Sequence, residues 1–156
     1  MFKSLLAHPL TRDLDIDDPQ TTHLRRQIIQ EKSFLRQIYQ EWYRAIVAAL
    51  PQDQGAVLEL GAGGGFMSDF VPDLITSELF YCPKIRTVLD GSSLPFAAKS
   101  LRGIVMTNVL HHLRQPCLFF GEATRCVRSG GVLAIIEPWV TPWSRFVYTR
   151  LHHEPF

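Results

Sequence analysis

The chain has 156 residues, of which 46% are hydrophobic and 20% charged, a composition typical of one soluble globular domain. Sixteen basic and fifteen acidic residues give a formal net charge of +1, which indicates neither a nucleic-acid partner nor an anionic membrane partner. Three cysteines without disulfide or zinc spacing, and no apolar run near the ~20 residues of a membrane span, favour a reducing cytoplasm.

The amino-terminal third is predicted to be helical. Residues 1–18 have no clear apolar period and are interpreted as a solvated lead-in. From Thr21 to Leu50 apolar residues recur at intervals of three, four or seven, which predicts a helix with one buried face, and Pro51 ends it. Ser33 could instead cap a second helix after a break. Aromatic residues in this segment favour a core contact, with a lid over a ligand as the alternative.

After Pro51, short apolar runs alternate with helical stretches, which indicates an α/β domain. We expect residues 1–51 to cap the ligand cleft of a domain at 52–156. The runs are buried in character, so the sheet should be parallel. Only residues 79–85 separate the second strand from the third, so no helix is expected there. Strands are predicted at 56–60, 74–78, 86–89, 104–107 and 132–136, and helices near 66–71, 117–127 and 143–151.

A glycine-rich turn follows the first strand at residues 59–65 (ELGAGGG). Glycines at alternate positions allow a tight turn and a close approach of a ligand to the main chain. The amino terminus of a following helix would offer free N–H groups to a carboxylate or phosphate. A dinucleotide fingerprint would need a third glycine where Phe66 stands, which weakens a nicotinamide interpretation.

Acidic residues end the next two strands. Glu78 lies seventeen residues beyond Gly61 and can accept hydrogen bonds from both hydroxyls of a ribose, with a solvated glutamate as the alternative. Asp90 is followed by Gly91-Ser92-Ser93-Leu94-Pro95-Phe96, which in isolation is an ordinary Asp-Gly turn.

The fourth strand ends in Thr107-Asn108-Val109-Leu110-His111-His112, at the edge where open α/β sheets bind ligands. Adjacent histidines on a helix cannot point the same way. An imidazole titrates near neutral pH and could act as a general base, cap a helix or line the pocket.

Taken in this order, the elements from about Val57 to Pro138 resemble class I S-adenosylmethionine-dependent methyltransferases. The flanking sequences resemble a bacterial branch of the type 11 group. The resemblance implies a three-layer, doubly wound, Rossmann-like sheet of order 3-2-1-4-5, with S-adenosylmethionine as cofactor. The cofactor-binding residues that it implies are Glu59, Gly61, Ala62, Gly63, Glu78, Leu79, Asp90, Gly91, Ser92, Asn108 and Val109.

The resemblance also implies the reaction, which is methyl transfer from the sulfonium to an acceptor and leaves S-adenosylhomocysteine. His112 is our candidate catalytic base, and it favours a hydroxyl acceptor. A small molecule is the expected acceptor, because the Asn-Pro-Pro-aromatic signature of adenine methyltransferases and a basic patch are both missing. The alternatives are a non-catalytic S-adenosylmethionine-binding or interaction protein and, less favoured, a nicotinamide oxidoreductase.

Two departures from the family pattern stand out. Arg102 occupies a position that is usually acidic, which puts the local packing in doubt. The family's sheet normally has seven strands, whereas this sequence reaches Phe156 after five, so we expect the fifth-strand edge to be covered by further strands of a longer protein or by a homodimer partner. No metal is expected, since the adjacent residues of His152-His153-Glu154 are poorly disposed to share one ion.

Overall fold

The computed structural model describes residues 19–139 and 141–150, so the lead-in and the 152–154 triplet lie outside the described residues. The α-helices are α1 (Pro19–Glu31), α2 (Ser33–Ala49), α3 (Pro116–Cys126) and α4 (Pro142–Arg150). The strands are β1 (Ala56–Glu59), β2 (Ile75–Glu78), β3 (Thr87–Val88), β4 (Leu101–Thr107) and β5 (Val127–Ile136). Within these ranges no helix combines the length and the apolar character needed to cross a bilayer.

The amino-terminal segment forms two helices, so the alternative with a break is the one observed. The break falls at Lys32, which occupies the N-cap position of α2 without a side-chain capping bond, and Ser33 is therefore the first helical residue instead of the cap. Helix α2 buries Tyr43 and Ile46 on one face, as its apolar period predicts. Leu50 leaves the helix in an extended conformation just before Pro51, as expected for a residue that precedes proline.

The five strands form one parallel sheet in the order β3-β2-β1-β4-β5, which confirms the predicted fold class and strand order. Leu58 of β1 pairs with Ile75 of β2 and with Ile104 of β4, so β1 lies at the centre. The return between β2 and β3 contains no helix, as its length predicted. The predicted motifs follow the carboxyl ends of these parallel strands, so they all lie at one edge of the sheet.

Helices cover both faces of the sheet and make three layers. On one face α2 packs over β1 and β4 in a buried cluster of Ile29, Tyr43, Ile46, Leu50, Val57, Phe66, Met67, Val71, Leu74 and Val105. On the other face α3 packs in a cluster of Leu58, Leu60, Leu89, Leu94, Leu101, Ile104, Met106, Phe119, Ala123 and Cys126. The alternation of buried side chains along β1 and β4 sends neighbouring residues to opposite clusters, as strand geometry requires.

The prediction of a helix at residues 66–71 is wrong. The structure has only a single 3-10 turn at Met67–Asp69. The backbone leaves helical conformation soon afterwards, at Pro72 and at Asp73, whose φ is 60°. Phe66, Met67 and Val71 are all buried, so the segment is held by core packing instead of by a continuous helical ladder.

Strand β5 begins earlier than predicted, because Val127 pairs with Leu101 before the glycine turn and Val132 pairs with Gly103 after it. Residues 128–131 therefore bulge out of the ladder. The unusual Arg102 lies beside this bulge, and its guanidinium donates to the carbonyls of Pro51 at 2.8 Å and Asp53 at 3.1 Å. Arg102, the residue that departs from the family pattern, thus holds the loop that leads into β1.

Candidate functional site

The glycine turn follows the carboxyl end of β1 and is hydrogen-bonded to the carboxyl end of β2. Gly61 and Gly63 have φ of 65° and 47°, a region that side-chain-bearing residues rarely adopt. The N–H of Ala62 donates to the carbonyl of Ser77 at 2.8 Å, which holds the turn against β2. The N–H of Gly63 donates to Oε1 of Glu78 at 2.6 Å.

Glu78 is the point where two of the predicted motifs meet. Its Oε1 accepts from Gly63, and its Oε2 accepts from the N–H of Leu79 at 3.2 Å. Partial burial raises the pKa of Glu78, and the two backbone N–H groups, followed by the charge of Arg25, act in the opposite direction. The side chain of Leu79 is 66% exposed beside this carboxylate. An oriented acceptor next to an open apolar side chain is suited to a ribose and the base attached to it.

Glu59, unlike Glu78, is buried. It is only 4% exposed and lies beneath the glycine turn, where a Cβ at Gly65 would be 3.7 Å from its Oε1. Burial, and then the negative charge of Glu78, raise the pKa of Glu59 to about 8, against an opposing effect of Arg26. This carboxyl therefore lies below the turn, away from solvent.

Helix α1 lies directly on the glycine turn, a contact that the sequence did not reveal. A Cβ at Gly64 would lie 2.8 Å from the backbone nitrogen of Arg26, so the absence of a side chain there lets the helix approach. The Nη1 of Arg26 donates to the carbonyl of Gly65. Behind the turn, the hydroxyl of Tyr43 accepts the N–H of Phe66 at 3.2 Å, which joins α2 to the same segment.

The loop after β3 is the predicted Asp-Gly turn. Oδ1 of Asp90 accepts the N–H of Ser92 at 2.8 Å, and this bond lowers the pKa of the exposed Asp90 carboxyl. Gly91 is buried against Leu60, whose Cδ2 would lie 3.0 Å from a Cβ at position 91. The turn thus presents Asp90 and Ser92 at the carboxyl edge of the sheet.

A pair of α3 side chains, which the sequence did not single out, holds this loop. Oε2 of Glu122 accepts the N–H of Leu94 at 2.7 Å. The guanidinium of Arg125 donates to the carbonyls of Leu94 at 2.9 Å and Phe96 at 2.7 Å, and it also pairs with Glu122. Arg125 and Glu122 are three residues apart on a helix, a spacing that could have marked them as a pair, although their target could not be read from it.

The turn after β4 is held by Glu137, which the sequence likewise did not single out as functional. Asn108 has a φ of 56°, and its N–H donates to the carbonyl of Ile136 at 2.8 Å. Oε1 of Glu137 accepts the N–H groups of Val109 at 2.8 Å and Leu110 at 2.7 Å. A Cβ at Gly61 would lie 2.5 Å from Val109, so this turn reaches the glycine turn.

The two histidines follow in a 3-10 turn at Leu110–His112, and both are exposed. Nδ1 of His111 lies 2.5 Å from Oε2 of Glu137. The rings of His111 and His112 are 4.1 Å apart between centroids. The Glu137 carboxylate therefore orients the ring of His111, while the ring of His112, our candidate base, lies beside it at an angle of 41°.

The fold thus brings Gly61, Gly63, Glu78 and Val109 together around one turn. The assignment of individual residues to a ligand stays a prediction. Within the described ranges, no group of three His, Cys, Asp or Glu side chains is placed to hold a metal ion.

The comparisons with known proteins point to one family. A family model described as "Methyltransferase domain" matches residues 82–135, about a third of the chain, from the β2–β3 return to β5. No curated protein matches the sequence.

Similar folds occur in several solved structures. An S-adenosylmethionine-dependent methyltransferase from Methanococcus maripaludis is 17% identical with a TM-score of 0.61, over 85% of this chain and 72% of that one. One from Aquifex aeolicus is 15% identical with a TM-score of 0.58, over 77% and 72%. A methyltransferase from Bacillus halodurans is 21% identical with a TM-score of 0.54, over 69% and 51%. This chain therefore spans about half the length of the Bacillus protein.

Proposed function

We propose that this chain, which has the fold of class I S-adenosylmethionine-dependent methyltransferases, binds S-adenosylmethionine at the carboxyl edge of its sheet and transfers the methyl group to an acceptor. One observation carries the proposal. The Glu78 carboxylate is held by the N–H groups of Gly63 and Leu79, at the junction of the glycine turn and β2. A carboxylate held in this way is an acceptor for adjacent hydroxyl groups in a fixed position.

The residues at this edge fit the cofactor. Each oxygen of Glu78 accepts one backbone N–H and keeps a further lone pair for a ribose hydroxyl. The exposed Leu79 side chain offers an apolar surface for the adenine ring. Asp90 and Ser92 supply polar groups for the adenine amino group, and the Asn108–Val109 turn borders the side on which the methionine end would lie.

S-adenosylmethionine, when bound, supplies an electrophilic methyl group on a sulfonium. The chain's own contribution is to orient it, since accurate placement of two reactants can provide much of the rate of a transfer reaction. The turns that hold the residues are braced from behind, by Glu137 after β4 and by the Glu122–Arg125 pair after β3. A braced site keeps the acceptor and the methyl group in line.

The acceptor side is proposed to lie at the histidine pair. Both rings are exposed, and the contact of His111 Nδ1 with Glu137 leaves its Nε2 for a proton from a hydroxyl acceptor. His112 remains the other candidate for this role. The near-neutral charge of the chain supports a small molecule over a nucleic acid, and its three free cysteines support a cytoplasmic location.

The cofactor site is tested by calorimetric titration of the protein with S-adenosylhomocysteine. We expect saturable binding, weakened about tenfold to a hundredfold by Glu78→Ala, because hydrogen bonds to a charged group contribute about 1.5–3 kcal/mol. Glu41→Ala, on the exposed face of α2, is the matched control and should bind as the wild type does. Binding of NADH in place of S-adenosylhomocysteine, or no binding by folded protein, would overturn the proposal.

Turnover is tested separately with methyl-labelled S-adenosylmethionine and a panel of phenols, alcohols, carboxylic acids and amines. Transfer to a hydroxyl compound that falls in His111→Gln or His112→Gln would identify the base. Binding of the cofactor without transfer to any class of acceptor would favour the non-catalytic alternative.

A further inference from the structure

Arg26 of helix α1 is a partly buried cation beside the glycine turn of the proposed cofactor site. Helix α1 is seated on the turn through Gly64, where a Cβ would lie 2.8 Å from the Arg26 nitrogen and 3.2 Å from the carbonyl carbon of Arg25. The Nη1 of Arg26 donates to the carbonyl of Gly65. The guanidinium is therefore fixed against the segment that follows the turn.

The Nε of Arg26 is buried and has no hydrogen-bond partner among the described residues. A buried donor of this kind is normally satisfied, and an unsatisfied one calls for a partner beyond the described residues, such as a ligand. The edge of arginine that carries Nε can pair with a carboxylate through two parallel hydrogen bonds.

The charges at the turn explain why a ligand carboxylate needs this residue. The Glu78 carboxylate makes the site acidic, and it suits the ribose of the cofactor but repels the cofactor's carboxylate. The segment after the turn forms only a single 3-10 turn, so the long helix whose amino terminus would attract an anion is not formed there. Arg26 acts electrostatically on Glu59, and Arg25 acts on Glu78, so the cations at this site come from α1.

We propose that Arg26 binds the carboxylate of the cofactor's methionine end through its Nε edge, which makes helix α1 part of the cofactor site. This inference rests on the proposed function. It identifies the ligand group as an α-amino acid carboxylate next to an adenosine thioether, and it couples the docking of α1 to cofactor binding.

The experiment compares two ligands by calorimetry. S-adenosylhomocysteine carries the amino-acid end, and 5′-methylthioadenosine has the same nucleoside and thioether without it. We expect Arg26→Met to weaken binding of S-adenosylhomocysteine at least tenfold and that of 5′-methylthioadenosine less than twofold. Arg26→Lys, which keeps the charge but not the fork, should lie between. Arg36→Met, at an exposed position of α2, is the matched control, and circular dichroism verifies that each variant is folded.

The outcomes separate this inference from the proposed function. Equal weakening of both ligands in Arg26→Met would mean that Arg26 only braces the turn, and unchanged binding of both would mean that it has no part in the site. Either result overturns the inference while leaving the cofactor site intact. Failure of wild-type protein to bind either ligand would overturn the proposed function and this inference with it.

Discussion

At the scale of single residues, two carboxyl groups in neighbouring strands differ in their exposure to solvent and in their hydrogen-bond partners. Glu78 is partly exposed and receives backbone N–H groups, so it is prepared to accept further hydrogen bonds from a ligand. Glu59 lies in the core beneath the same turn and is only 4% exposed. Because burial disfavours the charged form of a carboxyl, the pKa of both is raised, and that of Glu59 reaches about 8.

Glu59 should make the protein less stable as pH rises. Its pKa is about 8 in the folded protein against an ordinary value of 4.5, so between these values the folded state binds the extra proton and the free energy of unfolding falls with increasing pH. Each pKa unit corresponds to about 1.4 kcal/mol, so wild-type protein should lose at least this much between pH 5 and pH 8. Urea denaturation of Glu59→Gln across that range should give a flatter profile.

The control for this prediction is Glu41→Gln on the exposed face of α2, which should keep the wild-type slope. Glu78 contributes in the same direction, since its pKa is also raised, so the slope in Glu59→Gln should be reduced without vanishing. An unchanged slope in Glu59→Gln would show that the buried carboxyl is not the group that titrates.

At the scale of elements, turns that present candidate ligands are fastened by side chains from helices and strands far away in sequence. Glu137 at the end of β5 holds the turn after β4. Glu122 and Arg125 of α3 hold the loop after β3. Helix α1 holds the glycine turn through its contact with Gly64. Each loop therefore depends on an element other than the strand that it follows.

Gly64→Ala should loosen α1 from the glycine turn. The new Cβ would meet the Arg26 backbone at 2.8 Å, and the overpacking should lower the free energy of unfolding by about 1–3 kcal/mol. Urea denaturation measures the loss, and limited proteolysis within α1 should become faster.

The same substitution at Gly121 is the matched control. Gly121 lies inside α3 with nothing within 4 Å of an added Cβ, so Gly121→Ala should stabilise the protein by about 0.5–1 kcal/mol through helix propensity. Destabilisation by both variants would point to a general effect of alanine instead of the contact with α1.

At the scale of the whole molecule, the two core clusters on opposite faces share β1 and β4, so the described chain should unfold as one unit. A ligand that binds only the folded state then stabilises every element. At a free concentration of S-adenosylhomocysteine of 100 times its dissociation constant, the free energy of unfolding should rise by about 2.7 kcal/mol.

This linkage is measured by urea denaturation with and without the ligand. Glu78→Ala at the same ligand concentration should show a much smaller gain, because the added free energy depends on the dissociation constant. Two separate transitions, only one of which shifts with ligand, would show that the site and the rest of the sheet are not one cooperative unit.

The sequence by itself determined the features that depend on neighbouring residues. The buried apolar runs predicted five parallel strands, and the short segment after Glu78 predicted a return without a helix. These predictions succeed because strands and short returns depend on the local spacing of apolar residues and on residue type. The strand order came from the resemblance to a family and is confirmed.

Only the tertiary structure decided which distant groups meet. The docking of α1 on Gly64, the two N–H groups on Glu137, and the collapse of the expected helix at residues 66–71 to a 3-10 turn depend on how helices and sheet pack. Such contacts join residues separated by many positions in the chain and leave no period in the sequence. They form because the burial of apolar faces determines how the layers pack, and polar side chains satisfy the backbone groups that this packing places within reach.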